Sequence, residues 1–215
     1  KNIKSNEKTN TYVKFNYKKH KSEQKMNIVT ICGGKSCEHD ISIITGVQVL
    51  NALGDGYHVL PVYMKDGGFY TSDNMKDVGF FENPNLKKAT RIWLIDGSFY
   101  TRKGMLLLKK ETPDVALICC HGGEGENGVL QGFLEYNGVP YTSAGLIASS
   151  VCMDKSIAKQ LLDGLMLNTM PSITVSRGDF EKNTNDVIRH VSTFLEYPLI
   201  VKPSGLGSSI GIKKA

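Results

Sequence analysis

The residue types best suited to binding phosphate are gathered in VKPSGLGSSIGI at residues 201–212, which we call the glycine–serine hairpin. Glycines let backbone N–H groups approach phosphate oxygens closely, serine hydroxyls add donors, and a lysine supplies positive charge. The residues concerned are Lys202, Gly205, Gly207, Ser208 and Ser209. The spacing is not that of a Walker A motif, because the lysine precedes the glycines and no helix follows them. A surface hairpin whose glycines only permit a tight turn is the alternative interpretation.

A second segment, GGKSCEHD at residues 33–40, places an acid close to two glycines. Gly33 and Gly34 allow a turn, and Glu38 lies near the start of the helix that is predicted to follow. A carboxylate at this place could hold the ammonium group of a substrate. It could also be an acid that the helix dipole favours, so both interpretations stay open at this point.

A third segment, HGGEGENG at residues 121–128, joins a histidine to two acids in a flexible loop. His121, Glu124 and Glu126 have the chemistry to orient a substrate or to transfer a proton. The alternative is a solvated glycine loop. Only the length of the motif makes it specific.

Lys155 follows Met-Asp in a helix that is predicted to run over residues 148–162. A lysine on this helix could reach a bound nucleotide, or it could be an ordinary solvated helix lysine. We interpret its neighbours Asp154 and Lys159 as surface charges.

Short β-branched runs alternate with helical periods from Met26 onward, which is typical of a parallel α/β sheet. The predicted strands are 28–32, 59–64 and 115–120, and the predicted apolar helix faces are Ile44, Val47 and Leu50, then Leu130, Phe133 and Leu134. Asp40 is the predicted N-cap of the first helix. Because ligands of open α/β sheets gather at the carboxyl ends of strands, the loops after the first and third strands should face one crevice.

The chain is divided by a predicted boundary at residues 140–145. Residues 65–110, rich in turn-forming types, are predicted as small strands and turns. We predict a basic, disordered extension at 1–25, an amino-terminal substrate-binding α/β domain at 26–145 and the start of a second α/β domain at 146–215. Within the second domain the predicted elements are a strand at 172–175, a helix at 186–195 and strands at 199–201 and 210–213.

Composition excludes several classes of protein. With 40% hydrophobic and 22% charged residues the sequence is ordinary for a globular protein, and no apolar run is long enough to cross a bilayer. The first 25 residues have a net charge of +6, whereas the whole sequence has +5. The remaining residues therefore have a net charge of −1 and give no basic signature of nucleic-acid binding. The five cysteines show no C-x-x-C spacing, which argues against a disulfide framework and a zinc site. We therefore expect a cytoplasmic protein that binds neither nucleic acid nor membrane.

Together, four segments resemble the D-alanine–D-alanine ligase family of ATP-grasp enzymes, in order and at fitting separations. They are GGKSCEHDISIITG at 33–46, HGGEGENGVLQGFLEYNGVPYTSAG at 121–145, MDK at 153–155 and VKPSGLGSSIGI at 201–212. Several long motifs in order are far harder to reach by chance than any one of them. The resemblance implies a Rossmann-like, pre-ATP-grasp domain with a parallel sheet, followed by the first lobe of a truncated ATP-grasp domain.

The resemblance also implies a substrate pocket. Glu38 would hold the amino group of the first D-alanine, and His121 would lie near the carboxylate of that substrate. Glu126 would be a supporting residue of the same pocket. With Ser208 of the hairpin, Glu38 and His121 would form the catalytic set.

A second group of residues would contact ATP by the same resemblance. They are Lys155, Lys202, Gly205, Gly207, Ser208 and Ser209. The loop at 205–211 would close over the phosphates and over the site of the second substrate.

The family's reaction implies ATP with Mg²⁺ or Mn²⁺ as cofactors, D-alanine as substrate and a homodimer for the whole enzyme. ATP phosphorylates the carboxylate of one D-alanine, and the amine of a second attacks the acyl phosphate to give a dipeptide used in peptidoglycan synthesis. The family's metal ligands, an arginine and the loop that selects the second substrate have no counterpart up to Ala215. We therefore expect little turnover from these 215 residues alone.

Two other functions stay open. A relative that makes D-alanine–D-lactate or D-alanine–D-serine would share the segments above. A non-catalytic, Rossmann-like nucleotide-binding protein belongs to a different class; it predicts G-x-G-x-x-G entering a helix where this sequence has GGKSCE.

Overall fold

One seven-stranded sheet organises the first part of the computed structural model, which describes residues 25–82 and 86–215. The strands of this sheet are β1 (Asn27–Gly33), β2 (His58–Lys65), β3 (Gly68–Thr71), β4 (Thr90–Ile95), β5 (Ser98–Lys103), β6 (Leu106–Glu111) and β7 (Val115–Ile118). The helices are α1 (His39–Leu53), α2 (Gly79–Glu82), α3 (Val129–Tyr136), α4 (Leu146–Met153), α5 (Lys155–Gly164), α6 (Arg177–Lys182) and α7 (Thr184–Phe194). The basic extension predicted at 1–25 lies outside the described residues, apart from Lys25.

The sheet is mixed, with the order β6-β5-β4-β3-β2-β1-β7. Strand β1 pairs in parallel with β2 and with β7, whereas the strands from β2 to β6 pair antiparallel in sequence order. The three strands predicted from apolar runs are the parallel ones, which confirms the α/β fold class. The segment placed only loosely as small strands and turns is the antiparallel extension formed by β3 to β6.

Helices cover both faces of the parallel strands. On one face Leu130 and Leu134 of α3 join a core cluster with Val29 and Ile31 of β1. On the other face Val47 of α1 packs in a cluster that includes the β1 residue Cys32 and parts of β2. Because successive side chains of a strand point to opposite faces, β1 contributes to both clusters and is buried almost throughout.

Two details of α1 differ from the prediction. The helix begins at His39 with Glu38 at the N-cap position, so Asp40 lies in the first turn rather than at the cap. The buried face contains Ile43, Val47 and Leu50, while Ile44 is 41% exposed. A helix turns by about 100° per residue. Ile44 therefore lies at the edge of the apolar stripe, whose centre is near Ile43.

The helix predicted over residues 148–162 is two helices, α4 and α5, separated by Asp154. This residue has an extended backbone (φ −89°, ψ 107°), and its carboxylate accepts hydrogen bonds from the N–H groups of Ser156 and Ile157. Asp154 is therefore the N-cap of α5 and not simply a surface charge. None of the α5 side chains is buried.

The remaining elements match the prediction only in part. Helix α7 and strand β8 (Ile200–Val201) lie in the predicted regions, whereas helix α6 was not predicted. The strand predicted at 210–213 is shifted: β8 pairs with β9 (Lys213–Lys214), because residues 208–211 form turns. The strand predicted at 172–175 is wrong, since no described strand pairs with that backbone and an unpaired extended segment forms no sheet. Among the described residues no helix has the length and apolar character needed to span a membrane.

The cysteines give a direct test of this core. Cys32, Cys119 and Cys120 are buried, and burial raises the pKa of Cys119 to about 11 and that of Cys120 to about 12, whereas Cys37 and Cys152 are exposed. Because the thiolate is the reactive form, iodoacetamide at pH 8 should label only the two exposed cysteines of the folded protein, and all five after unfolding. Peptide mass spectrometry measures the labelling, and rapid modification of Cys120 in the folded protein would contradict the structure.

Candidate active site

The loops that follow β1 and β7 meet at the carboxyl ends of these strands. Ser36 connects them: its hydroxyl donates to the carbonyl of His121 over 2.7 Å and accepts from the N–H of Glu38 over 3.1 Å. The N–H of Lys35 donates to the Glu124 carboxylate over 3.0 Å. The structure thus brings GGKSCEHD and HGGEGENG together in one place, as expected for adjacent parallel strands.

Glu38 lies at the junction of three segments. It is half-buried at the amino end of α1 but makes no side-chain capping bond to that helix. Its carboxylate instead accepts a hydrogen bond from the hydroxyl of Ser208, a residue 170 positions later in the glycine–serine hairpin. It also lies against Gly122, where a Cβ atom would come within 2.5 Å of Oε2. The helix dipole favours an acid at the amino end of a helix, but this effect does not explain why Glu38 contacts Ser208 and Gly122.

Gly122 needs to be a glycine for two reasons. Its backbone has φ 63° and ψ 179°, a conformation that is essentially restricted to glycine. Any side chain at this position would also collide with the Glu38 carboxylate. The glycine therefore permits the close approach of the His121 loop to Glu38.

His121 is half-buried and oriented by α1. Its Nε2 atom lies 2.8 Å from the hydroxyl oxygen of Thr45, while its own carbonyl accepts from Ser36. The sequence did not identify Thr45, because its contact with His121, 76 positions later, depends on how α1 packs against the sheet. Glu126 is exposed, and the acid of this loop that contacts the neighbouring loop is Glu124.

The glycine–serine hairpin carries the remaining predicted residues. Ser208 and Ser209 both have left-handed backbones, with φ of 49° and 60°, and this bend directs the Ser208 hydroxyl to Glu38. The ammonium of Lys155 donates to the carbonyls of Ser204, over 3.3 Å, and of Leu206. The other members, Lys202, Gly205, Gly207 and Ser209, are exposed.

His39 fixes the first glycine turn, a role that the sequence did not reveal. Its Nδ1 lies 2.8 Å from the carbonyl of Gly34, and its Nε2 lies 3.1 Å from the hydroxyl of Tyr63 on β2. Burial raises the pKa of Tyr63 to about 12, so the phenol keeps its proton at neutral pH. Because a carbonyl only accepts, Nδ1 must donate to Gly34 and Nε2 is free to accept from Tyr63.

In the described ranges, 25–82 and 86–215, no three His, Cys, Asp or Glu side chains are grouped so that they could hold a metal ion. Around the hairpin, the groups with the charge or the donors to bind an anion are the Lys202 ammonium, the Lys155 ammonium, which also contacts two hairpin carbonyls, and the backbone N–H groups of the hairpin. The site therefore combines one carboxylate, Glu38, with a hairpin suited to phosphate.

The fold and the meeting loops define an α/β protein with a candidate ligand site at the carboxyl ends of its parallel strands. Residues 27–144 match the family model described as the amino terminus of D-Ala-D-Ala ligase, and residues 161–215 match the model of its carboxyl terminus. The chain belongs to the D-alanine–D-alanine ligase family.

Individual relatives agree with this assignment. The chain is 40% identical over 195 residues to the D-alanine–D-alanine ligase of Thermosipho africanus, covering 88% of this chain and 52% of that protein. Among solved structures it is similar to the D-alanine–D-alanine ligase of Helicobacter pylori, with a TM-score of 0.75, 25% identity, and coverage of 88% of this chain and 58% of the other. VanG D-Ala:D-Ser ligase from Enterococcus faecalis gives a TM-score of 0.71, 26% identity and coverage of 89% and 55%. The chain thus spans about half the length of the relatives it matches.

Proposed function

We propose that the protein carrying this chain is an ATP-dependent ligase that joins two D-alanine molecules into a dipeptide for peptidoglycan synthesis. The observation that carries the proposal is the hydrogen bond between Ser208 and Glu38. It supports a site in which a carboxylate suited to an ammonium group lies beside a hairpin suited to phosphate. The chain's membership of the ligase family supports the same reaction class.

Glu38 holds the ammonium group of the first D-alanine in this proposal. An α-amino acid carries its ammonium and its carboxylate on the same carbon, so anchoring the first group fixes the second within a few ångströms. The hairpin contact with Glu38 supports a substrate carboxylate that faces the phosphate-binding segment. His121, oriented by Thr45, lies near that carboxylate, and Glu126 supports the pocket.

The hairpin and two lysines bind ATP in this proposal. Lys155 lies against the hairpin carbonyls and Lys202 follows β8, so both are near the glycines. Backbone N–H groups of Gly205, Gly207 and Ser209 and the hydroxyl of Ser208 supply donors for the phosphates. Positive charge and fixed donors around a transferring phosphoryl group stabilise the charge that develops in its transition state.

The proposed chemistry has two steps. A carboxylate oxygen of the first D-alanine attacks the γ-phosphorus of ATP, which forms D-alanyl phosphate and releases ADP. The neutral amine of the second D-alanine then attacks the acyl carbon, loses a proton and expels inorganic phosphate, leaving the dipeptide. Proximity accounts for much of such catalysis, since both reacting groups are held at one site.

The second substrate has a specific alternative. The likeness to the VanG D-Ala:D-Ser ligase is about as strong as the likeness to the Helicobacter pylori enzyme, so D-serine is the second candidate. D-lactate has no such support. A non-catalytic nucleotide-binding protein is not favoured, because the matched family models and relatives are ligases.

Three further properties complete the proposal. The reaction consumes ATP, which supports a cytoplasmic location. Magnesium or manganese is implied by the resemblance, but no metal-binding cluster forms among the described residues, so no step is assigned to a metal. The homodimer expected for the whole enzyme stays a prediction.

Product analysis tests the proposed function. The full-length protein is incubated with ATP, Mg²⁺ and D-alanine, alone or mixed with D-serine or D-lactate, and the products are separated by chromatography. We expect D-alanyl-D-alanine and ADP in equal amounts. If only a mixed product forms, D-serine or D-lactate and not D-alanine is the second substrate. Formation of ADP without any condensed product would overturn the ligase assignment.

A further inference from the structure

The carboxylate of Asp154 joins two segments that are far apart in sequence. Its Oδ1 atom accepts from the N–H and the hydroxyl of Ser156, over 2.9 and 2.8 Å, and from the N–H of Ile157 over 3.2 Å. These are the local bonds of a helix cap. The same oxygen accepts from the hydroxyl of Ser204, 50 positions later, over 2.6 Å. Asp154 therefore contacts the base of the glycine–serine hairpin as well as α5.

Backbone bonds reinforce this junction at the next residue. The N–H of Lys155 donates to the Ser204 carbonyl over 3.1 Å, and its ammonium reaches the carbonyls of Ser204 and Leu206. Neither α5 nor the hairpin buries a side chain in this structure. Hydrogen bonds rather than apolar packing thus hold the hairpin to the amino end of α5.

The charge of Asp154 fits this arrangement. The Ser204 hydroxyl, followed by the donors of Ser156 and Ile157, holds the pKa of the Asp154 carboxyl at about 2. The group is therefore ionised at neutral pH and acts purely as an acceptor. Four donors converge on it, and only one of them comes from outside α5.

We propose that Asp154 is a positioning residue that, through Ser204, fixes the glycine–serine hairpin to α5 and so sets the distance between Lys155 and the hairpin's phosphate-binding donors. The proposal rests on the ATP-binding role assigned above to Lys155 and the hairpin. An ordinary helix cap would stabilise α5 alone. A positioning residue also determines how well ATP binds.

The hydroxyls of Ser156 and Ser204 both donate to Asp154 Oδ1, so replacing each serine separates the role of a helix cap from that of a positioning residue. Ser204→Ala removes the donor that belongs to the hairpin, whereas Ser156→Ala removes a donor that belongs to the helix. In the full-length protein we expect Ser204→Ala to raise the Kd for ATP about tenfold, as loss of a hydrogen bond to a charged group would. Ser156→Ala should change it less than twofold, and Ser204→Thr, which keeps a hydroxyl, should restore ATP binding to within roughly twofold.

Hydrogen exchange without ATP gives a readout that does not depend on the ligase assignment. The N–H groups of Ile210 and Ile212 donate to the carbonyls of Gly207 and Ser209, and that of Lys155 donates to Ser204. These three amides should exchange faster in Ser204→Ala than in Ser156→Ala, with α7 as an internal reference. Equal effects of the two serine variants on ATP affinity and on exchange would overturn the proposal. Faster hairpin exchange with unchanged ATP affinity would keep the structural junction but remove its role in ATP binding, and absence of ligase products would affect neither comparison.

Discussion

Replacing Glu38 with glutamine is expected to raise the Kd for D-alanine about 10- to 100-fold while leaving the Kd for ATP within roughly twofold of the wild type. A neutral amide cannot form the charge-assisted bond that a carboxylate offers to an ammonium group. Glutamine still has an oxygen that accepts from Ser208, so the contact with the hairpin persists. Isothermal titration calorimetry on the full-length protein measures both constants.

The matched control is Glu124→Gln. It removes the same charge from the same pair of loops, but Glu124 binds the N–H of Lys35 rather than the hairpin. We expect the Kd for D-alanine to change less than threefold in this variant. If both variants lose D-alanine binding equally, the effect comes from net charge at the crevice and Glu38 is not the ammonium site.

Replacing Gly122 with alanine is expected to lower the free energy of unfolding by about 1–3 kcal/mol and to weaken D-alanine binding at least roughly tenfold. The loss of stability follows from the glycine-only backbone at φ 63° and ψ 179°. The loss of binding follows from the new Cβ, which would lie 2.5 Å from Glu38 Oε2 and force the carboxylate to move. Urea unfolding and calorimetry measure the two effects.

Gly54→Ala separates strain from collision. Gly54 ends α1 with φ 55° and ψ −152°, a similarly restricted conformation, yet a Cβ atom there meets nothing within 4 Å. The two variants should therefore lose similar stability, while only Gly122→Ala should lose affinity for D-alanine. Normal D-alanine binding by a folded Gly122→Ala protein would refute the assigned place of Glu38.

The parallel part of the fold could be predicted because its signal is local. Strand β1 is buried on both sides, so it appears in the sequence as a continuous apolar run that ends at two glycines. The antiparallel strands β3 to β6 were harder to predict, since apolar and polar residues alternate only weakly along them. The Asp66-Gly67 and Asp96-Gly97 pairs, all with positive φ, were nevertheless a hairpin signal that identifies two of these turns.

The break at Asp154 also had a sequence signal. An aspartate before a helical period is a preferred N-cap, but the prediction of one helix over 148–162 treated Asp154 as a surface charge and did not use this signal. The strand predicted at 172–175 failed for the opposite reason: its composition suits a strand, and whether a strand forms depends on a partner that local sequence does not specify.

The contacts of the site depend on tertiary structure. Glu38 and Ser208 are 170 positions apart, and only the resemblance, not their spacing, linked them. The bonds between His39 and Tyr63 and between Thr45 and His121 carry no pattern in the sequence, because each depends on how α1 sits on the sheet. Loop positions were thus predictable from strand ends, whereas the partners of each side chain were not.

Oxygen transfer tests the central claim, that ATP activates the carboxylate of D-alanine as an acyl phosphate at this site. The full-length protein is supplied with ATP, Mg²⁺ and D-alanine labelled with ¹⁸O in its carboxylate, and inorganic phosphate is analysed by ³¹P NMR or mass spectrometry. We expect about one ¹⁸O atom in phosphate for each dipeptide formed, because the attacking oxygen leaves with the phosphoryl group. Dipeptide formation with unlabelled phosphate, or with the label in AMP, would contradict this account.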